Sequence, residues 1–148
     1  MTQKNYTSDN IKVIKNDIKR IKKRPTMYIG SINMGGVYHL LRELMDNSID
    51  EFIAGYASKI RLSYSNEKGY VEVEDDGRGI PNEDKNKLKE IFLSLHSSGK
   101  FESGEAYTNS SGLNGVGLTC TTALSKKVEI TIKKPNVTTS LSFKNGNF

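Results

Sequence analysis

A stripe of polar side chains runs along a long apolar segment between residues 36 and 56. Glu43 and Asn47 are four residues apart, and His39 precedes Glu43 by the same interval, so a helix would present all three on one face. A carboxylate beside a neutral amide suits a metal–phosphate site, because the amide oxygen can ligate Mg²⁺ and the carboxylate can polarise a water. Taken alone, the pattern is more typical of an exposed helix edge.

A second cluster, Asp75-Asp76-Gly77-Arg78-Gly79-Ile80-Pro81, directly follows a predicted strand. A carboxylate fixed at a strand end can accept a hydrogen bond from an exocyclic amine such as that of adenine. The two glycines permit a positive φ and let the backbone approach a flat ring closely. The alternative at this point is a plain Asp-Gly turn.

The third cluster, Gly112-Leu113-Asn114-Gly115-Val116-Gly117, precedes a predicted helix. Free backbone N–H groups in such a loop and at a helix start can bind phosphates. The pattern is neither the dinucleotide fingerprint, because no strand precedes it at short range, nor a P-loop. Lys100 is a candidate phosphate contact, with an ordinary solvated lysine as its alternative.

The elements that must position these residues follow from the periodicity of apolar side chains. Three of the predicted segments are long: an amphipathic helix over 36–56, a helix over 83–95 and a loop-like stretch over 97–117. The other predicted elements are a helix from 14 that stops at Pro25, an extended piece over 27–30, strands over 59–65 and 70–75, a helix over 118–124, and a final hairpin of 128–132 with 138–143. This order predicts an α/β (α+β) two-layer sandwich with a mixed, largely antiparallel sheet covered by helices on one face.

The 148 residues suffice for one domain, 1–148, with residues 1–13 as a polar arm. No apolar run approaches a membrane span and no signal segment opens the chain, which predicts a cytoplasmic protein without a membrane role. One cysteine, Cys120, excludes a disulfide framework and a Cys-x-x-Cys metal site, and an inert buried thiol is expected.

The chain carries 22 Lys+Arg against 17 Asp+Glu, a net charge of +5. Seven of the basic residues crowd positions 12–24. That stretch could attract a polyanion, which would make the chain a small nucleic-acid-binding domain, or it could be a solvated helix face. Aromatic residues do not interleave with the basic ones, so a base-stacking surface is not indicated.

The three clusters together, in this order, resemble the Bergerat-fold (GHKL) ATPases, which include gyrase, Hsp90, sensor histidine kinases and MutL. The flanking segments narrow the resemblance: Lys23-Arg24-Pro25-Thr26-Met27-Tyr28-Ile29-Gly30, Asp46-Asn47-Ser48-Ile49-Asp50-Glu51 and Leu113-Asn114-Gly115-Val116-Gly117 are similar to the ATPase (B) subunit of bacterial type II topoisomerases. Because of these segments, the resemblance favours a topoisomerase subunit over a histidine kinase or a chaperone of the same fold. Asn114 stands where gyrases usually have histidine, so gyrase and topoisomerase IV both remain open.

The resemblance implies ATP and Mg²⁺ as cofactors and a role for each matching residue. Glu43 would be the general base, oriented by His39, and Asn47 would hold Mg²⁺. Asp75 would accept from the adenine amine. The remaining residues would surround the nucleotide: Gly77, Arg78, Gly79, Ile80 and Pro81 at the base pocket and its rim; Lys100, Tyr107 and Gly112, Leu113, Asn114, Gly115, Val116 and Gly117 in a mobile lid over about 97–117; and Tyr6 in the arm, reaching the partner subunit's ATP.

The implied partners are a second copy, paired through the arm when nucleotide is bound, and, in the full-length protein, DNA and the topoisomerase A-type subunit. Closure of the dimer by ATP would be coupled to DNA strand passage. The family's nucleotide domain continues beyond 148 residues, so we expect a piece of a longer protein with weak or absent turnover of its own. The alternative is a shortened, non-catalytic relative that binds nucleotide or a topoisomerase partner.

Overall fold

The computed structural model of the chain describes residues 16–95 and 116–148. Within these two ranges, three helices, a hairpin, two helices and a second hairpin follow one another in an α+β arrangement, which confirms the predicted fold class. In chain order the elements are α1 (Asp17–Lys23), α2 (Thr26–Ile29), α3 (Met34–Ile53), β1 (Ile60–Ser65), β2 (Tyr70–Asp75), α4 (Lys85–Leu93), α5 (Gly117–Leu124), β3 (Lys127–Lys134) and β4 (Val137–Lys144).

The strands form two antiparallel hairpins. β1 pairs with β2 so that Ile60 lies opposite Asp75, and β3 pairs with β4 so that Lys127 lies opposite Lys144. In the part of the chain that the structure describes, the two hairpins are not hydrogen-bonded to each other. Helices and the turn after β2 therefore have to connect them.

Helix α5 contacts α1, α3, α4 and β3. Its small residues allow this close packing, and the buried hydroxyls of Thr119 and Thr122 donate to the carbonyls of Ser94 and Leu118 at 2.9 Å each. Two buried clusters flank it: Ile18, Ile21, Ile29, Cys120 and Ala123 in one, and Leu88, Phe92, Ile132, Leu141 and Phe143 in the other. Each fully buried Leu, Ile or Phe contributes about 1.5–3 kcal/mol to stability.

Polar side chains cap three of the helices. Asn16 accepts from the backbone N–H of Lys19, Asn33 from that of Gly35, and Asp84 from those of Asn86 and Lys87. Such caps satisfy N–H groups that a helix leaves free at its start. They explain why α1, α3 and α4 begin where they do.

Residues 27–30 differ from the sequence prediction, since the short extended piece is a single turn of helix, α2. Pro25 supplies a φ of −60° at its start, and its carbonyl accepts from the N–H groups of Tyr28 and Ile29. Proline favours the first turn of a helix because its φ is already helical. Gly30, at φ 73°, ends the turn.

Helix α3 is less buried than its apolar pattern predicts. Only Gly36, Ser48 and Asp50 of this helix are buried, while Phe52 and Ile53 in its last turn are mostly exposed. The helix packs against α2, α5 and β2 along part of its surface only. No helix within residues 16–95 and 116–148 is long and apolar enough to cross a membrane.

Candidate functional site

Helix α3 carries the first set of candidate residues. His39 Nε2 lies 3.8 Å from Glu43 Oε1, an ion-pair distance rather than that of a hydrogen bond. Both side chains remain partly accessible, and Asn47, one turn further on, is half-buried. The polar stripe is therefore a partly open helix face, on which the imidazole of His39 lies near the Glu43 carboxylate.

The start of α5 lies directly against Glu43. A Cβ atom placed on Gly117 would be 2.6 Å from both the Cβ and the Oε2 atoms of Glu43. This is closer than a Cβ atom comes to a non-bonded heavy atom in real structures. No side chain among the described residues caps α5, in contrast to α1, α3 and α4. The first backbone N–H groups of α5 and the Glu43 carboxylate thus meet at one place, where an anion site would adjoin a general base.

Cys120 lies one turn into α5 and is 1% exposed, so the predicted burial of this thiol is confirmed. Burial, and to a smaller extent the charge of Glu43, raises the pKa of Cys120 to about 11. The thiol is therefore protonated near neutral pH and is a poor nucleophile.

Asp75, the last residue of β2, is held from two sides. The Ser48 hydroxyl, on α3, donates to Asp75 Oδ2 at 2.7 Å, and the backbone N–H of Gly77 donates to Oδ1 at 3.0 Å. A Cβ atom on Gly77 would meet Oδ1 at 2.9 Å and Glu51 at 3.1 Å, which explains the glycine. A carboxylate fixed in this way keeps further acceptor capacity for a donor from outside the protein.

Asp76 belongs to a different contact. Its Oδ1 accepts from the backbone N–H groups of Ser58 and Lys59 at 2.7 and 2.8 Å, and its Oδ2 accepts from the Ser58 hydroxyl at 2.6 Å. These donors, the Ser58 hydroxyl first, lower the pKa of Asp76 to about 2. Asp76 therefore ties the segment before β1 to the end of β2 and leaves Asp75 as the carboxylate available at the site.

Arg78 is held by a carboxylate and an aromatic ring. Its Nη2 donates to Glu51 Oε1 at 2.7 Å, and its Nε and backbone N–H each donate to Oε2 at 3.1 Å. The guanidinium carbon lies 3.5 Å from the centroid of the Tyr56 ring. Such a forked pair fixes the plane of the guanidinium, so the Arg78 side chain is held in one orientation at the turn after β2.

The remainder of the turn joins the second hairpin. Gly79 has a φ of 70°, and a Cβ atom on it would approach Ile132 to 3.1 Å. Ile80 packs against the buried cluster formed by α4, β3 and β4, while Pro81 is exposed. Asn82 then donates to the Thr139 hydroxyl at 2.9 Å. The turn that carries Arg78 is therefore anchored to both hairpins.

The structure brings together His39, Glu43 and Gly117 at one point and Asp75, Gly77, Arg78 and Gly79 at another, both along α3. Val116, the residue before α5, is half-buried against the first apolar cluster. The other predicted lid and arm residues, Tyr6, Lys100, Tyr107, Gly112, Leu113, Asn114 and Gly115, lie outside the described residues.

Three contact residues were missing from the predicted site: Ser48, Glu51 and Tyr56. Ser48 and Glu51 each bond a residue 27 positions away, a distance in sequence that no local pattern bridges. One signal was present, because Glu51 follows Asn47 by four residues and so extends the same helix face.

Comparison with known proteins shows which family the chain resembles. The family model of histidine kinase-, DNA gyrase B-, and HSP90-like ATPases matches residues 33–145. The B subunit of DNA topoisomerase 4 from Staphylococcus aureus (strain Mu50) is 40% identical over 97% of this chain, which covers 22% of that relative. The B subunit of DNA gyrase from Metamycoplasma hominis is 41% identical over 95% of this chain, which again covers 22% of it.

A crystal structure of the 43K ATPase domain of Thermus thermophilus gyrase B, in complex with an aminocoumarin, matches with a TM-score of 0.67 and 29% identity. The match covers 88% of this chain and 32% of that one.

The chain therefore belongs to the histidine kinase-, DNA gyrase B-, and HSP90-like ATPases, since that family's model matches most of its length. Within the family it is similar to the B subunits of type II topoisomerases, which confirms the resemblance found in the motifs. It is about equally similar to a gyrase and to a topoisomerase IV subunit. The chain spans about a fifth of the length of the curated relatives it matches, at 22% of each.

Proposed function

We propose that this chain is the ATP-binding part of a type II DNA topoisomerase B-type subunit, in which ATP binding and hydrolysis drive DNA strand passage. The observation that carries the proposal is that α3 joins both ends of a nucleotide site. Glu43 meets the start of α5 at one end, and Ser48 holds Asp75 at the other. Five residues of helix separate these ends by about 7.5 Å along the axis, at a rise of about 1.5 Å per residue.

The Asp75 end takes the adenine. Asp75 accepts a hydrogen bond from the exocyclic amine, and the turn backbone at Gly77 and Gly79 lies under the ring. Arg78 forms the rim, with Ile80 and Pro81 beside it. The fixed carboxylate supports this assignment, because an acceptor already oriented by protein donors loses little entropy on binding a ligand.

The Glu43 end takes the triphosphate. Glu43 removes a proton from a water whose oxygen attacks the γ-phosphorus. The bond between the γ-phosphorus and the bridging oxygen breaks, and that oxygen leaves with ADP. His39 orients the carboxylate. Backbone N–H groups at the start of α5 and in the loop before it bind the phosphates. From the motif resemblance we propose in addition that Lys100 and Tyr107 contact the nucleotide and that Tyr6 contacts the ATP of the partner subunit.

Asn47 is the residue proposed to hold Mg²⁺. Its amide oxygen suits a hard cation, and it stands one turn from Glu43 on the partly open face. No group of three or more His, Cys, Asp or Glu side chains gathers within the described residues, which fits an ion held mainly by phosphates and water. When bound, Mg²⁺ neutralises charge on the phosphates.

The partners are assigned at the level of the longer protein. We infer a dimer that forms through the arm when nucleotide is bound, together with DNA and a topoisomerase A-type subunit. The names of the relatives support these partners, since they are subunits of enzymes that act on DNA. We also propose a cytoplasmic location, with which relatives that act on DNA are consistent.

Calorimetric titration of ATP with Mg²⁺ into the chain tests the proposal. Saturable one-site binding is expected, and Asp75→Ala should abolish it because the acceptor for the adenine amine is lost. Glu72→Ala, an exposed residue of the same strand, is the matched control and should bind normally. A folded chain that does not bind ATP, or an Asp75→Ala variant that binds it equally well, would contradict the assignment.

Turnover is tested separately, because binding does not require the general base. Weak or absent turnover is expected of the chain. Glu43→Ala should remove any ATP hydrolysis that the chain shows, while leaving ATP binding within about twofold of the unchanged chain. Phosphate release is the measurement. Equal turnover by Glu43→Ala would exclude Glu43 as the base.

A further inference from the structure

Ser48 is one of few buried polar residues on α3, and the sequence motifs assign it no role. It is 3% exposed, and its hydroxyl points across the helix–strand boundary to Asp75 Oδ2 at 2.7 Å. A buried hydroxyl needs a partner, and a carboxylate is a strong one. The Ser48 hydroxyl therefore donates its hydrogen bond to Asp75.

The two oxygens of Asp75 are held by different elements. Oδ2 accepts from Ser48 on α3, and Oδ1 accepts from the backbone N–H of Gly77 in the turn after β2. One bond alone would leave the carboxylate free to rotate about its Cβ–Cγ bond. Two bonds from two directions fix its plane, and each oxygen has a second lone-pair direction for a ligand.

We propose that Ser48 is a positioning residue for base recognition, which acts on the exocyclic amine of adenine through Asp75. This inference rests on the proposed function, since it assumes that Asp75 accepts from adenine. Ser48 does not touch the base. It holds the acceptor at the angle at which the amine is recognised, so it contributes to specificity for ligands that carry that amine.

The alternative is that Ser48 only ties α3 to β2. A purely structural tie would affect every nucleotide equally, because its loss would loosen the whole pocket. A positioning role would affect only ligands that donate to Asp75. ATP and the triphosphate of purine riboside distinguish the two, since they differ only in the 6-amino group.

The experiment measures binding of both nucleotides, with Mg²⁺, to the chain and to its Ser48→Ala variant. We expect ATP to bind roughly threefold to tenfold more weakly to the variant, as is typical for loss of one hydrogen bond to a charged group. Binding of the purine riboside triphosphate should stay within about twofold. Ser48→Cys keeps a side chain of similar size with a weak donor, so its affinity for ATP should lie between those of the unchanged chain and Ser48→Ala.

Ser58→Ala is the matched control. It removes the same kind of bond, a serine hydroxyl to an aspartate oxygen, but at Asp76 instead of Asp75. The preference for ATP over the purine analogue should be unchanged in this variant. Circular dichroism on all variants establishes that each is folded before its binding is compared.

Two results would overturn the inference while leaving the proposed function intact. One is a Ser48→Ala variant that binds ATP as tightly as the unchanged chain. The other is a variant that loses the same factor for both nucleotides, which would assign Ser48 a structural role only. If the unchanged chain binds neither nucleotide, the inference and the proposed function fall together.

Discussion

At the scale of single residues, Gly117 has no room for a side chain on the side that faces Glu43. A Cβ atom there would lie 2.6 Å from Glu43 Cβ and Oε2, and the backbone of α5 cannot withdraw without disturbing the buried residues that follow it. Gly117→Ala should therefore lower the free energy of unfolding by about 1–3 kcal/mol, the usual cost of overpacking. It should also displace the Glu43 carboxylate and reduce any turnover.

Gly35→Ala is the control for this substitution. Gly35 also lies in the first turn of its helix, but its nearest atoms are Ser31 Oγ at 3.0 Å and the capping Asn33 Oδ1 at 3.1 Å. These side-chain ends need to shift by only a few tenths of an ångström to admit a Cβ atom. Its stability should change by less than about 1 kcal/mol, since alanine also favours the helix. Urea unfolding of both variants makes the comparison, and equal effects would show that Glu43 moves aside freely.

Arg78 and Arg61 offer a second comparison at this scale. Arg78 forms a forked pair with Glu51, which is only 17% exposed, and stacks on Tyr56. Arg61 makes a single contact to Glu74, which is 54% exposed. Arg78→Ala should therefore reduce the free energy of unfolding by about 1–2 kcal/mol, and Arg61→Ala by less than about 0.5 kcal/mol. Urea unfolding makes the measurement. Equal losses of unfolding free energy in the two variants would show that the contacts of Arg78 are no stronger than that of Arg61.

Residue types and spacing were enough to single out Glu43 and Asp75 as candidates, because a carboxylate on a helix face and another at a strand end are visible within a few positions. Their roles stay predictions. They were not enough to find Ser48 or Glu51. Their importance depends on which strand and turn pack against α3, and that packing is set by the tertiary structure. A serine in a helix has many possible roles until its partner is known.

At the scale of elements, Asp76 joins the two ends of the first hairpin. It accepts three hydrogen bonds from Ser58 and Lys59, which precede β1, while Asp76 itself follows β2. These bonds favour the ionised carboxylate and hold its pKa near 2, below the usual 3.8. Because the folded pKa is the lower one, the stabilisation is complete above about pH 4 and is lost as the pH falls through about 2.

Urea unfolding between pH 5 and about pH 2 tests this linkage. The Asp76→Asn variant should lose less stability on acidification than the unchanged chain, since its side chain does not titrate. Ser58→Ala removes the donor with the largest effect on this pKa and should give an intermediate curve. Parallel curves for all three proteins would show that Asp76 does not contribute to the acid response.

Most elements were predictable because their signals are local. The alternation in β1 and β2 and the apolar period in α4 lie within the elements they define. Residues 27–30 were predicted as extended because four residues are too few to show a helical period. Their helical turn depends on Pro25 before it and Gly30 after it.

At the scale of the whole molecule, the first hairpin has little apolar packing. Leu62, Tyr64, Tyr70 and Val71 are all exposed, and both buried clusters lie elsewhere. A two-stranded hairpin is marginal by itself in water, so β1 and β2 depend on polar contacts such as Ser48–Asp75 and Arg78–Glu51. These same contacts surround the proposed adenine position, so stability and ligand binding should be coupled.

A nucleotide bound along α3 would connect the first hairpin to α5, and it should stabilise the whole chain. At a concentration 100 times its dissociation constant, a ligand specific for the folded state adds about 2.7 kcal/mol. For a domain of this size that corresponds to a rise in Tm of roughly 5–10 °C.

Thermal unfolding with increasing ATP and Mg²⁺ makes the measurement. The Tm should rise with the logarithm of ATP concentration above the dissociation constant, and it should rise little with GTP, which presents a carbonyl where adenine presents its amine. Asp75→Ala should remove the response to ATP while Glu72→Ala retains it. A Tm that responds equally to ATP and GTP would indicate that the triphosphate alone is bound, and would remove Asp75 from the recognition of the base.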